Sequence, residues 1–140
     1  MKVLLCLAIL PLLLSGCGKT DVKSLSESKH LLEKQNQFWN QCLESWHKGQ
    51  PDLRMMMVLQ TYICDRTRLR MEKDYTGPNK AQAMQLLKEL GEEYNSNLQT
   101  LTQPTEGGPV LKPGVTEEEL CKAFIAMNDK YQKLVEMTKQ

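Results

Sequence analysis

The chain is poor in the residues most chemistry relies on. Among 140 residues there are two histidines, His30 and His47, and eight aromatics. A metal centre draws on three or four His, Cys or carboxylate ligands in one place. His30 has only Glu33 at i,i+3 beside it, so both histidines read as solvated, with no metal and no cofactor expected. No nucleophile stands with a base in the pattern a catalytic site uses, and no catalytic residue is assigned. The carboxylates of Glu117, Glu118 and Glu119 open a helix, where negative charge is favoured by the dipole, and need no catalytic role. Glu92 and Glu93 form the other carboxylate cluster. An excess of either charge is missing too: 18 basic residues face 17 acidic ones. That balance argues against nucleic acid or an anionic lipid surface as the main partner, because both require a basic face. No stretch alternates apolar and polar residues as a strand pair does. No apolar run reaches the roughly 20 residues that span a bilayer.

What the chain does have is a distinctive start, MKVLLCLAILPLLLSGCGKT. Its tail, Gly18-Lys19-Thr20, matches the end of a phosphate-binding loop. That loop needs a glycine five positions before Gly18, after a strand and opening a helix. The residue there is Leu13, and it lies inside an apolar run from Val3 to Leu14. The nucleotide reading therefore fails on its own spacing. Lys2, the apolar run and Ser15-Gly16 instead fit the three regions of a secretory signal peptide.

Leu14-Ser15-Gly16-Cys17 also resembles the lipobox of bacterial lipoproteins, L-[AS]-[GA]-C. The resemblance implies cleavage before Cys17 and a diacylglycerol on the Cys17 sulfur. The position after the lipidated cysteine is Gly18 rather than Asp. By the sorting rule of enterobacterial lipoproteins this implies the outer membrane, periplasmic face. Two or more acyl chains anchor far more firmly than one. The expected organisation is a signal peptide over 1–16, a lipidated tether over 17–23 and a helical domain over 24–140. A flexible tether of that length reaches only about 12–15 Å.

Beyond the tether the apolar residues recur at helical spacing. Leu32, Trp39, Cys42, Leu43 and Trp46 mark a helix from about Ser24 to His47. Gly49-Gln50-Pro51-Asp52 ends it, and a second helix runs to about Lys73 with Met55, Leu59, Tyr62 and Leu69 on one face. A third, Asn79 to Leu101, carries the stripe Ala83, Leu87, Leu90, Tyr94, Leu98 and Leu101. The segment TQPTEGGPVLKPGV cannot be helix or central strand. Thr116 and Glu119 then form a capping box for a fourth helix, with Leu120, Phe124, Met127, Tyr131 and Leu134 on its apolar face. The predicted fold is all-α, a four-helix up-down bundle-like domain.

Of five cysteines, Cys6 leaves with the signal peptide and Cys17 carries lipid. Cys42, Cys64 and Cys121 remain in an oxidising compartment, an odd number. If the helix ends lie level, Cys42 and Cys121 agree in height within about 3 Å, whereas Cys64 is roughly 8 Å lower. Cys42–Cys121 is the expected disulfide. A Cys42–Cys64 bridge is the alternative and needs an irregular second helix. Cys64 is then a small buried hydrophobe or the link of a dimer.

With no enzyme in view, binding is the expected role. Met55, Met56 and Met57 are consecutive and spread around their helix. Either two are core and the third is exposed, or they line a deformable groove for a partner helix. Trp39 and Trp46, one heptad apart, either wall such a groove or belong to the core. Val110 and Leu111 in the proline-glycine loop are a further candidate contact. The lipobox, the short tether, the helical domain and the segments NQCLESW and EELCKAF also resemble secretin pilotins of the PulS/OutS type. That resemblance implies an outer-membrane lipoprotein that binds a C-terminal segment of a secretin subunit. The alternatives are an exclusion lipoprotein of a plasmid or phage, and a structural accessory lipoprotein of an envelope assembly.

Overall fold

The computed structural model describes residues 18–139; the signal-peptide and lipidation assignments, on residues 1–17, lie outside the described residues. The protein is predominantly helical. α1 runs Gly18–His47, and a second helical run comprises α2 (Leu53–Thr61), a π-helical turn (Tyr62–Arg66) and α3 (Thr67–Asp74). α4 is Lys80–Leu101, and α5 (Glu117–Ile125) and α6 (Asn128–Thr138) form the last run. α1 begins six residues earlier than its periodicity predicts, so residues 18–23, read as part of a flexible tether, are helix.

The boundaries follow the local chemistry. α1 stops in a Schellman turn. Gly49 takes φ +69°, its N–H donates to the Trp46 carbonyl and the Gln50 N–H donates to the Ser45 carbonyl. Asp52 caps α2 by accepting from the Met55 N–H at 3.0 Å. Thr116 and Glu119 form the predicted capping box: the Thr116 hydroxyl accepts from the Glu119 N–H, and the Glu119 carboxylate from the Thr116 N–H. The predicted fourth helix is interrupted at Ala126–Met127, between α5 and α6. The proline-glycine segment holds a small hairpin. β1 (Thr102–Gln103) pairs antiparallel with β2 (Val110–Leu111). A ladder this short leaves no room for the apolar–polar alternation that marks a strand in sequence.

Three of the four predicted apolar faces are the buried ones, and one is displaced. On α4, Ala83, Leu87, Leu90, Tyr94 and Leu98 are buried, and on α5–α6 Leu120, Phe124, Met127, Tyr131 and Leu134 are. Trp39, Cys42 and Trp46 are buried on α1. On the second run the buried residues are Met56, Leu59, Ile63, Thr67 and Met71, whereas the predicted Leu69 is 54% exposed. Their spacing of three, four, four and four is slightly longer than the 3.6 residues of an α-helical turn. The π-helical turn, with its i→i+5 bonds, takes up that excess. It keeps Thr67 and Met71 facing the core and turns Leu69 outward.

Contacts between the runs fix their register. Phe38 meets Tyr62 edge-on, and Glu27 pairs with Arg70. The Tyr94 hydroxyl donates to the Met56 carbonyl at 2.9 Å, and the Cys64 thiol lies 3.6 Å from the Gly91 carbonyl. Lys130 pairs with Glu93, and Asn79 reaches the Met137 carbonyl. Trp39 stacks on Tyr131, and Trp46 lies tilted against Phe124. In each pair of runs a rising number on one matches a falling number on the other, so neighbours run in opposite directions.

The same register corrects the disulfide assignment. With Trp39 opposite Tyr131 and Trp46 opposite Phe124, Cys121 lies level with Gly49, about seven residues or ~10 Å along the axis from Cys42. The helix ends are not level: α5 starts beyond the end of α1. Cys42, Cys64 and Cys121 are free thiols, with Cys42 and Cys121 buried and Cys64 partly exposed.

Candidate functional site

The five residues predicted to bind a partner separate sharply. Trp39, Trp46 and Met56 are core residues with no surface to offer. Trp39 stacks on Tyr131 with ring centroids 4.0 Å apart and donates its Nε1–H to Asn128 Oδ1 at 2.9 Å. Trp46 packs edge-on against Trp39 at 5.4 Å and lies tilted by 33° against Phe124 at 5.3 Å. These contacts exclude a groove walled by tryptophan. Met55 is half-buried, and only Met57, 40% exposed, faces outward, together with Val58. One face of a helix cannot bury three consecutive residues, which is why the run splits.

The opposite end of the molecule was not legible as a site. α1 buries residues 28, 35, 39, 42 and 46 in one stripe, and the first two are Ser28 and Gln35. Six buried side-chain polar atoms make no hydrogen bond among the described residues: Ser28 Oγ, Gln35 Nε2 and Oε1, Asn36 Oδ1, Thr67 Oγ1 and Trp46 Nε1. All but the last lie toward the start of α1 or on the part of α3 that crosses it. Each unsatisfied buried group costs about 1–3 kcal/mol, so this end, with five such atoms, gives up more stability than the aromatic end, with Trp46 Nε1 alone.

Two concavities flank this half of α1. Between α1 and α3 is an open groove of about 730 Å³. Leu31 and Leu69 form its apolar base, and His30, Arg66 and Lys73 line it. Arg70 is held there by Glu27 and, at 2.9 Å, by Asp74. Between α1 and α6 is a smaller cavity of about 250 Å³, walled by Leu32, Leu134 and Val135, with Gln35, Asn36 and Tyr131 as its inner polar groups. Burial raises the Tyr131 phenol far above the ordinary tyrosine value, and the adjacent Gln35 amide offsets this in part. The phenol is neutral at any physiological pH.

The thiols lie away from both concavities. Burial, aided by the Asp52 carboxylate, pushes Cys42 up to about 12. Burial also raises Cys64, with Asp65 adding to it and Asn95 and Arg68 opposing. All are protonated thiols at neutral pH, not activated nucleophiles. Among the described residues no three His, Cys, Asp or Glu side chains gather to hold a metal ion, and no helix is long and apolar enough to cross a membrane.

The fold and these sites define an all-α protein with an aromatic core at one end and two concavities at the other. Compared with protein-family models, curated proteins and solved structures, the chain matches none of them.

Proposed function

We propose that the protein is a lipoprotein, anchored through Cys17 at the periplasmic face of the outer membrane. It acts by gripping a protein of an envelope or secretion machine, as a pilotin-like chaperone for a secretin. The observation that carries this is the sequence Leu14-Ser15-Gly16-Cys17 at the end of an apolar run behind Lys2. The antiparallel contacts among the four helical runs support reading the domain as an up-and-down four-helix bundle. Because α1 starts at Gly18, the residue after Cys17, the groove residues Glu27 to Leu31 are about 14–20 Å along the helix from Gly18. The groove with Leu69 therefore belongs to the anchored end, and the Met57–Val58 surface of α2 to the distal end.

Two measurements test the reading. Radiolabelled palmitate is expected to enter the protein and to be lost in Cys17→Ser; absence of label in the wild type refutes the anchor. Crosslinking in intact outer membranes is expected to recover a secretin subunit, and the secretin is expected to mislocalise when the gene is deleted. Normal secretin assembly in the deletion strain refutes the chaperone role while leaving the anchor untouched.

A further inference from the structure

The cavity between α1 and α6 has no part in the contact role proposed above, and its polar lining is incomplete. Gln35 is wholly buried in its α1 wall, and neither Nε2 nor Oε1 has a partner among the described residues. Beside it, Asn36 Oδ1 is buried and equally unpaired. Thr138 on the facing wall is already engaged, its hydroxyl donating to the Leu134 carbonyl at 2.8 Å. Tyr131, fixed by its stack on Trp39, sets a neutral hydroxyl beside the Gln35 amide. The open valences on α1 are therefore one amide N–H donor group and two carbonyl oxygens, set with the Tyr131 hydroxyl around a space of about 250 Å³. An apolar cavity of roughly 150 Å³ is enough to take benzene, so a ring or branched alkyl group with a polar head fits here.

We infer that this cavity binds a small neutral primary carboxamide with a compact apolar body. The carboxamide supplies what the wall lacks. Its two N–H groups donate to Gln35 Oε1 and Asn36 Oδ1, and its carbonyl oxygen accepts from Gln35 Nε2. The apolar body lies against Leu32, Leu134 and Val135. A carboxylate of the same shape accepts from the Gln35 N–H and the Tyr131 hydroxyl but has no N–H to give, so both carbonyl oxygens stay unpaired beside its charge, where desolvation is costly. A hydrocarbon fills the space but leaves every orphan unpaired. Lys29, Glu33 and Lys139 bring both signs of charge to the mouth, so selection rests on the neutral interior. The carboxamide is either free or borne on a side chain of a protein partner; the recognition chemistry is the same.

The test uses the full-length protein in detergent, titrated with benzamide, benzoate and toluene, and observed at the Gln35 side-chain amide by NMR. Benzamide is expected to bind and shift the Gln35 signals, with benzoate and toluene weaker by about tenfold or more. Gln35→Leu is expected to lose benzamide affinity by a similar factor and to gain toluene affinity. Val135→Phe, which fills the cavity from its apolar wall, is expected to weaken all three ligands. N-acetylglutamine methylamide stands for the peptide-borne carboxamide, and whichever amide binds tighter identifies the source. Failure of both amides to bind, equal binding of benzamide and toluene, an unmoved Gln35 signal at saturation, or undiminished benzamide affinity in Gln35→Leu each overturns the inference. In the first of those cases the cavity holds water alone.

Discussion

The two halves of α1 sit in the same interhelical core and are built on opposite terms. From Trp39 to Trp46 the buried stripe meets Tyr131 and Phe124, and Tyr94 completes the cluster against Phe124 at 4.7 Å. From Ser28 to Gln35 the same stripe is polar, unpaired and flanked by two concavities. Aromatic side chains contribute large buried area and specific ring geometry, so the first half holds the fold. The second half is where the molecule tolerates unsatisfied groups and empty space, as binding regions do. A regular burial period thus says where a helix faces, and the residues filling it say whether that face is for packing or for use.

The sharpest way to break this contrast is to truncate its aromatic half. Trp46→Ala and Trp39→Ala are each expected to cost about 3–5 kcal/mol, enough to unfold much of the population, as measured by denaturant titration. The contrast fails if either costs no more than a truncation at Leu32. Trp39→Phe is further expected to cost more than Trp46→Phe, because only Trp39 has its indole N–H bonded.

Next in size is Gly77→Ala at the polar end. A Cβ there collides with the ring of Tyr75, a buried residue whose hydroxyl donates to the Pro78 carbonyl at 3.2 Å. Displacing that ring is expected to cost about 1–3 kcal/mol. Gly91→Ala is the counterpart, since its Cβ meets Cys64 Sγ at 3.5 Å and Ile63 Cγ2 at 3.7 Å, both ordinary contacts. Mid-helix alanine is favoured over glycine by up to about 1 kcal/mol, so Gly91→Ala is expected to raise the denaturation midpoint. A lowered midpoint would show that α4 and the π-helical turn are closer than described.

The thiol of Cys42 provides a pH-dependent comparison. Its folded value is about 12 against an ordinary 9.0, so the folded state keeps a proton that the unfolded chain gives up. Stability is therefore unaffected by this group below pH 9 and falls as pH rises from about 9 toward 12. Denaturation midpoints measured across that range should decline, and less steeply in Cys42→Ala. Cys64, partly exposed, is expected to be alkylated before Cys42 and Cys121. The smallest effect is expected from Gln35→Leu, whose stability should match or exceed the wild type by up to about 1 kcal/mol. Replacing an orphaned amide with an apolar group of similar size removes a penalty and adds burial. A loss of several kcal/mol would mean that Gln35 is bonded in the folded protein.

Much of the fold was legible because it depends on local rules. The stripes of α4 and of α5–α6, the Thr116 capping box and the Gly49 and Asp52 punctuation are all set by neighbours a few residues apart. Of the face read on the second run only Leu59 lies fully in the core, because Met55 and Met56 are equally apolar and a π-helical insertion leaves no mark in composition. The disulfide was misplaced because its estimate assumed level helix ends, and axial offset is a property of packing. The carboxamide cavity was invisible: Gln35 in a helix reads as one more solvated polar residue until its burial is known.

By itself the sequence determined the helical class and the order and approximate limits of the four runs, since period and caps are short-range. Tertiary structure alone decided which methionine faces outward, that both tryptophans are core, that the three thiols stand apart, and that Gln35 is buried without a partner. Those outcomes depend on how far one helix is turned and slid against another. That choice is made by packing the whole core at once.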